Sequence, residues 1–372
     1  MLSFSEKYPD PFLNFLTGGQ NMKIKSLLLG SAAASMLAVS GAQAADPIIY
    51  AEPESMEYVR ICDVYGAGFF YIPGTENCMK IGGYVRYQMN YNQRNHVPGD
   101  YSFGKLARFA PTFDVRSETE LGTLRGFAEV EFDWTTGSRA ADGTLIGAAQ
   151  SVNLNHAFIE LQNPNGVFRI GKGDTPYARF LGYGSGGIYG GVYGFNNSGE
   201  VSYTFSGGGF SGIVAAIENA DGRLQPNFEA GANFSQAWGS VGGIFGYDSV
   251  ASTWGAKGVV RGKVDVVDVG VHVFYSSGAG MYAISNPAGG TSTWSVMGHA
   301  RAAVTPTVAV KGHVQWYQST GISGGDSWDA VGGLVLTPVR DFQIMPEVRY
   351  TSRANAAGAS NWQAAIRFQR SF

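Results

Sequence analysis

The sequence predicts an all-β fold, a transmembrane antiparallel β-barrel of about 16 strands with one loop folded into its lumen. Three observations lead there. Runs of roughly ten residues alternate between apolar and polar side chains, as strands with one oily and one wet face must. The connections between runs alternate between short and long, the turn-and-loop pattern of a membrane barrel. After residue 44, no apolar run approaches the ~20 residues that a membrane helix needs. Gly212 to Ile217 is among the longest such runs.

The composition agrees. Aromatic residues make up 13% and charged residues only 15%, and there are 53 glycines, which suits strands and tight turns better than helices. The formal charge of −3 argues against a nucleic-acid partner, which would call for a broad basic surface.

The chain divides before the barrel begins. Met22-Lys23-Ile24-Lys25 is a short basic start, Ser26 to Gly41 is apolar and small, and Ala42-Gln43-Ala44 is an A-x-A cleavage signal. Residues 22–44 therefore read as a signal peptide cut before Ala45. Residues 1–21, with Tyr8, Pro9, Asp10 and Pro11, fit no targeting signal, and translation is expected to start at Met22. Residues 45–78 are expected to form an N-terminal segment on the periplasmic side, and residues 79–372 the barrel. Cys62 and Cys78 fall close together in an exported chain, so they are expected to form a disulfide, with two buried free thiols as the alternative. No histidine lies near enough to suggest a metal site.

Alternation is cleanest at the C-terminus. Trp362, Ala364, Ile366, Phe368 and Phe372 share one parity, and Gln363, Arg367, Gln369 and Ser371 the other. Ile81, Val85, Tyr87, Met89 and Tyr91 alternate with Lys80, Arg86, Gln88 and Asn90. Leu124, Ala128, Val130, Phe132 and Trp134 alternate with Arg125, Glu129, Glu131 and Asp133. Trp254, Ala256, Val260, Val264 and Val266 alternate with Lys257, Arg261, Lys263 and Asp265. The same holds for Val308 to Tyr317 and for Phe342 to Thr351. Oily faces that end in Trp, Tyr or Phe and wet faces with charges of both signs describe a barrel facing lipid outside and water inside. The runs around Ser211, Phe228 and Val241 alternate weakly and are expected to mark a subunit interface. Asn163 to Gly166, Ser206 to Gly209, Thr305 to Thr307 and Pro338 to Asp341 are the short connections; Asn92 to Gly104, Thr135 to Gln150, Asp174 to Gly199 and Ser277 to Thr291 are long ones.

Three stretches carry a resemblance: the leader from Met22 to Ala33, the segment Tyr58 to Tyr87 with its two cysteines and its YGAG and YIPG turns, and the ending Ile366 to Phe372. In these the chain resembles the alphaproteobacterial outer-membrane porin family. The resemblance implies a sixteen-stranded, trimeric pore that passes small hydrophilic solutes with little or no selectivity. It also implies a chain surrounded by outer-membrane lipids and lipopolysaccharide. Phe372 would be the terminal residue read by the barrel-assembly machinery. Two features depart from the pattern. Arg370 sits on the oily parity of the last strand, where it is expected to snorkel to the headgroups. Asp174 to Gly199 carries only Asp174 and Arg179 as charges, although many porins place carboxylates on this loop.

The candidate site is the charged wet face. Arg86, Arg108, Arg116, Arg169, Lys257, Arg261, Lys263, Lys311 and Arg349, with Glu129, Glu131, Asp133 and Glu347, are expected to line a pore, and Asp174 and Arg179 its constriction. The loop's Tyr177, Phe180, Tyr183, Tyr189 and Tyr193 need burial, so it is expected to fold inward. Arg179 is then expected to face the gap, with Arg86 and Arg116 across it. No catalytic or cofactor pattern stands out. The five histidines form no HExxH pair, there is no G-x-S-x-G elbow, and the glycines of 182–194 lead to no G-K-[ST]. A structural or adhesive barrel is the alternative function, and it would show longer, repetitive polar loops.

Overall fold

The computed structural model describes residues 60–93, 101–139, 145–219, 224–287, 289–318, 326–353 and 360–372. The expected leader, its cleavage site and residues 1–21 lie outside these. Among the described residues, no helix is long and apolar enough to cross a membrane.

Sixteen antiparallel strands close into a barrel. In order they are β1 (Cys78–Gln93), β2 (Tyr101–Thr119), β3 (Gly122–Thr135), β4 (Ala149–Asn163), β5 (Gly166–Asp174), β6 (Asn197–Gly207), β7 (Phe210–Ile217) and β8 (Asn227–Gln236). There follow β9 (Gly239–Asp248), β10 (Thr253–Val264), β11 (Val267–Ser276), β12 (Trp294–Thr305), β13 (Val308–Tyr317), β14 (Ser327–Val339), β15 (Phe342–Arg353) and β16 (Ser360–Ser371). Each strand pairs with its chain neighbours. Closure comes from β1 against β16, with Tyr84 opposite Ser371 and Asn92 opposite Gln363. Closing the sheet satisfies the backbone polar groups that an open edge would leave bare in lipid.

The short connections gather at one end. They include Pro164–Asn165, Gly208–Gly209, Pro306–Thr307 and Arg340–Asp341, as expected, and also Asp265–Val266. The last is a correction. Alternation carried on through Val266 in sequence, but β10 stops at Val264, because Asp265 turns the chain with φ 55°. Aspartate tolerates that left-handed backbone better than most side chains do.

The register confirms the two faces. Val85 lies opposite Phe109 on the outside, while Arg86 lies opposite Arg108 on the inside. At the loop end the outer face carries a belt of rings. Trp254 contacts Tyr275 at 4.7 Å, and Tyr275 contacts Trp294 at 4.8 Å. Further round, Trp328, Tyr350 and Trp362 make a second run with centroids 5.2 and 4.9 Å apart. Amphipathic rings at this height suit the lipid headgroup layer.

The weakly alternating strands include apolar residues on the lumen side. Ile213 on β7, Ile244 on β9 and Val259 on β10 occupy lumen-facing positions, where the other strands place polar groups. They are buried with Tyr177, Leu181 and Tyr282 in an apolar cluster inside the barrel. A second cluster joins Phe274, Met297 and Tyr317 of the wall to Ile284, with Val192 and Tyr193 packed against it. On β7, β9 and β10 alternation is blurred because Ile213, Ile244 and Val259 make parts of the inner face apolar where the loop lies on it; on β8 the inner parity stays polar, with Asn227, Glu229 and Asn233.

At the turn end, Cys62 and Cys78 form a disulfide with 6.1 Å between Cα atoms. With Phe69 they make a small buried cluster. Phe70–Tyr71 adds a short strand to β1 there. Lys80 donates to the Ala67 carbonyl at 3.2 Å, and Tyr65 donates to Glu118 at 2.9 Å. The N-terminal segment is thereby fixed to lumen-parity residues at the turn end of the barrel.

Candidate functional site

The loop between β5 and β6 enters the barrel through a short helix, α1 (Pro176–Arg179), and runs across the lumen to β15. Its aromatic side chains bury in part: Tyr177 is fully buried and rests 5.0 Å from Tyr282, Phe180, Tyr189 and Tyr193 are half-buried, and Tyr183 and Phe195 stay exposed. The rest of the loop is glycine-rich, so its own backbone amides and carbonyls need partners inside the barrel. The wall supplies them as side chains. Glu229 accepts the Tyr177 N–H at 2.6 Å, and Lys257 donates to the Tyr177 carbonyl. Arg261 donates to the Tyr183 carbonyl. Gln315 accepts the Val192 N–H at 2.8 Å and donates to the Val192 carbonyl at 2.6 Å.

The far end is pinned most firmly. The Glu347 carboxylate accepts the Ile188 N–H at 2.9 Å and the Tyr189 N–H at 2.9 Å. Lys311 pairs with the same carboxylate and donates to the Gly186 carbonyl at 3.1 Å. Gly187 makes this fit possible. Its φ is +103°, and an added Cβ would lie 1.7 Å from Lys311 Nζ and 2.2 Å from Glu347 Oε1.

Three residues expected on the wet wall therefore do something else. Lys257, Lys311 and Glu347 are buried against the loop, and their charges hold backbone rather than face open water. Arg261 does the same in part. Arg179 is also placed differently from the expectation. It does not look across the gap but pairs with Glu200 at 3.0 Å and with the Asp174 carbonyl at 2.9 Å. Arg116 lies at the turn end, opposite Cys78 in register, with its guanidinium 5.1 Å from the Phe69 ring.

The opposite wall, β1 to β5 with β16, meets the loop at its root on Asp174 and at its tip, where Arg367 donates to the Gly187 carbonyl at 3.4 Å. Its charges form a chain that alternates in sign from strand to strand. Arg116 pairs with Asp114 at 2.8 Å, and Arg125 with Asp114 at 2.9 Å and Glu160 at 2.8 Å. Arg169 pairs with Glu160 at 2.6 Å and Glu200 at 3.4 Å, and Arg179 completes the chain. Nearer mid-height, Arg108 bridges Glu131 and Asp133, the latter at 2.7 Å. Glu129 accepts from Asn155 at 2.9 Å. Arg349 pairs with Asp329 on β14. Asp174 accepts from Tyr183 at 2.6 Å and Asn197 at 3.0 Å at the root of the loop. Lys263 is exposed at the turn end of β10.

Asp114, Arg125, Glu160, Glu200, Asp329 and Arg367 join the site without having been singled out from the sequence. Arg125 and Arg367 stood on the wet parity in plain view. For the others the same signal existed, since each register-paired neighbour of a lumen arginine is itself in the lumen. Glu160 lies opposite both Arg125 and Arg169. Arg370, on the outer parity, lies 3.4 Å from Asp341 of the β14–β15 turn and donates to the Ser371 carbonyl at 2.7 Å. That position at the rim agrees with the snorkelling expected of it.

Comparison with known proteins follows the same lines. The Porin subfamily profile matches residues 46–370. The chain is 37% identical to Porin Omp2b of Brucella abortus over 94% of this chain and 100% of that protein, and equally so to Porin Omp2b of Brucella melitensis. In fold it is similar to the outer membrane channel DcaP of Acinetobacter baumannii, with a TM-score of 0.61 at 17% identity, over 81% of this chain and 99% of that one. It is also similar to the anion-selective porin from Comamonas acidovorans, with a TM-score of 0.58 at 14% identity, over 80% and 100%.

Proposed function

The chain belongs to the Porin subfamily, and on that premise we propose how its pore works. It is a bacterial outer-membrane β-barrel porin, a passive channel for small hydrophilic solutes and ions. The family and fold point to a channel rather than an enzyme. The open passage runs between the loop and the bare wall of β1 to β5 and β16. Arg86, Arg108, Glu129, Glu131 and Asp133 line it at and above mid-height. Arg116 and Arg169 line its periplasmic half. Lys257, Arg261, Lys311 and Glu347 set its width by holding the loop, and Asp174 and Arg179 fix the loop's root. Lys263 and Arg349 flank the passage.

The observation that carries this reading is the loop laid across the lumen and bonded mainly to one wall, through Glu229, Lys257, Gln315 and Glu347, with a single 3.4 Å bond from Arg367 of β16 to the Gly187 carbonyl at its tip. Liposome swelling tests it. Rates should fall smoothly with the size of neutral sugars. Saturation by a single sugar at low concentration would point instead to a solute-specific channel.

The leader is proposed to be removed before Ala45, and Phe372 to serve in assembly. Phe372 exchanges backbone hydrogen bonds with Gly83 at 3.1 and 3.2 Å, and its ring stacks 6.2 Å from Phe109, so it completes the seam between β1 and β16. A homotrimer is proposed as the working form. A solved structure of Vibrio cholerae OmpT, similar in fold with a TM-score of 0.59, is described as a trimer form.

A further inference from the structure

Most lumen arginines are neutralised. Arg108, Arg116, Arg125, Arg169, Arg179 and Arg349 each pair with at least one carboxylate. Arg86 and Arg367 have a different arrangement. Arg86 donates from Nε at 3.0 Å and from Nη2 at 2.8 Å to the side-chain oxygen of Gln369. Arg367 donates from Nε to the side-chain oxygen of Gln88 at 2.7 Å. The two pairs are crossed on adjacent strands, since Arg86 lies opposite Gln369 and Gln88 opposite Arg367 in the β1–β16 register. The guanidiniums are thus diagonal neighbours on the same face, within reach of one small ligand.

A neutral amide orients a guanidinium without cancelling its charge. The backs of both groups are satisfied, while their outer N–H edges stay available. Arg86 Nη1 and Arg367 Nη2 have no hydrogen-bond partner among the described residues, and Arg367 Nη1 has only the Gly187 carbonyl, at 3.4 Å. Stacking of the Arg86 guanidinium 4.4 Å from the Tyr84 ring fixes its plane. Gly187 adjoins the amides that Glu347 clamps, so Arg367 stands at the loop tip with Arg86 diagonal to it. A solute threading past the loop tip passes them.

We propose that Arg86 and Arg367 form an anion-binding step at the constriction, selective for small oxoanions such as phosphate or a carboxylate. Planar forks with free outer edges match the paired oxygens of these ions, which chloride lacks. The nearest carboxylates, Glu131 and Asp133, are committed to Arg108, and Glu347 to Lys311 and the loop amides. They temper the field without occupying the site, so binding is weak enough for the ion to leave. This inference rests on the reading of the chain as an open pore and assigns that pore a preferred class of solute.

The test is a planar-bilayer recording of the full-length protein in potassium chloride, with inorganic phosphate added in one series and succinate in another. Either anion should lower the chloride current saturably in the wild type. In the double variant Arg86→Gln, Arg367→Gln that block should vanish, and chloride-over-potassium permeability should fall at least about twofold. The double variant Arg86→Lys, Arg367→Lys should keep the chloride preference and lose the block, because it keeps charge without the fork. Arg340→Gln, on an exposed periplasmic turn, should match the wild type. Block by phosphate alone or succinate alone supports the site and names its oxoanion. Equal block in the glutamine variant and the wild type overturns the proposal, as does a wild type that neither anion blocks. A wild type that forms no channel defeats the pore reading instead.

Discussion

Two walls of one barrel use the same side chains for different ends. On β8 to β15, Glu229, Lys257, Lys311 and Glu347 are buried, and each binds loop backbone. On β2 to β6, Asp114, Arg125, Glu160, Arg169 and Glu200 bind one another in a chain along the lumen surface. The difference follows from what lies in front of each wall. A loop rich in glycine brings unsatisfied amides and carbonyls, and a charged side chain satisfies them more strongly than a neutral one. Where no loop arrives, neighbouring charges of opposite sign are the available partners. On the proposed reading, the clamped wall sets how wide the pore is and the bare wall which ions prefer it.

The comparison can be broken most directly at the clamp. Glu347→Gln removes the charge that holds two loop amides and leaves Lys311 buried without its partner. Breaking a buried pair from one side costs on the order of 3–5 kcal/mol, so the loop tip should release. Single-channel conductance should rise and the open level should become noisy, with little change in ion preference. An unchanged, quiet conductance would show that the apolar clusters alone hold the loop.

The same substitution on the other wall should do the reverse. Glu160→Gln removes the carboxylate that Arg125 and Arg169 share, leaving Arg125 with Asp114 and Arg169 with the longer contact to Glu200. Reversal potentials in a salt gradient should shift toward anions while conductance stays close to that of the wild type. The shift should shrink in concentrated salt, where charges in the aqueous lumen are screened. If Glu160→Gln changes conductance and Glu347→Gln changes selectivity, the division of labour between the walls is wrong.

Much of this was legible in the sequence, but not the division itself. Parity gave the two faces, the strand number and the wet-face residues, because side-chain direction in a strand depends only on the count along the chain. The loop's tyrosines showed that it had to turn inward. Which wall it would meet was hidden, since the bonds that decide it join Tyr177 to Glu229 and Ile188 to Glu347, far apart in sequence. A signal was nonetheless present: Ile213, Ile244 and Val259 stand on the wet parity, where they mark the loop's resting place. Arg179 was misplaced for a related reason. A loop charge was expected to face water, but Glu200 on β6 was close enough to take it.

The N-terminal segment lies outside both walls, and its loss should separate stability from conduction. Replacing Cys62 and Cys78 together by serine removes a bridge worth about 3 kcal/mol in the chain-entropy model. Thermal unfolding, followed by the gel shift of the folded barrel, should move to lower temperature, with conductance and reversal potential unchanged. A change in conductance would mean that the segment packed on Lys80 and Arg116 also narrows the periplasmic mouth.

Arg370 should give the smallest effect, and its size bears on the assignment of faces. The side chain points outward from β16, is 55% exposed and sits 3.4 Å from Asp341, itself 46% exposed. An ion pair so open to solvent contributes about 0–1 kcal/mol. The cost of a lipid-facing arginine is likewise small at the interface and reaches about 2–4 kcal/mol only at the bilayer midplane. Arg370→Gln should therefore leave folding yield into vesicles, unfolding temperature and conductance within error of the wild type. Moving the charge inward along the same face tests the point more sharply. Ile366→Arg shifts it four residues toward the middle of β16, where the guanidinium can no longer reach the periplasmic rim, and folding into vesicles should drop steeply. If Ile366→Arg folds as well as Arg370→Gln, the outer face of β16 does not meet lipid, and its parity must instead pack against another subunit.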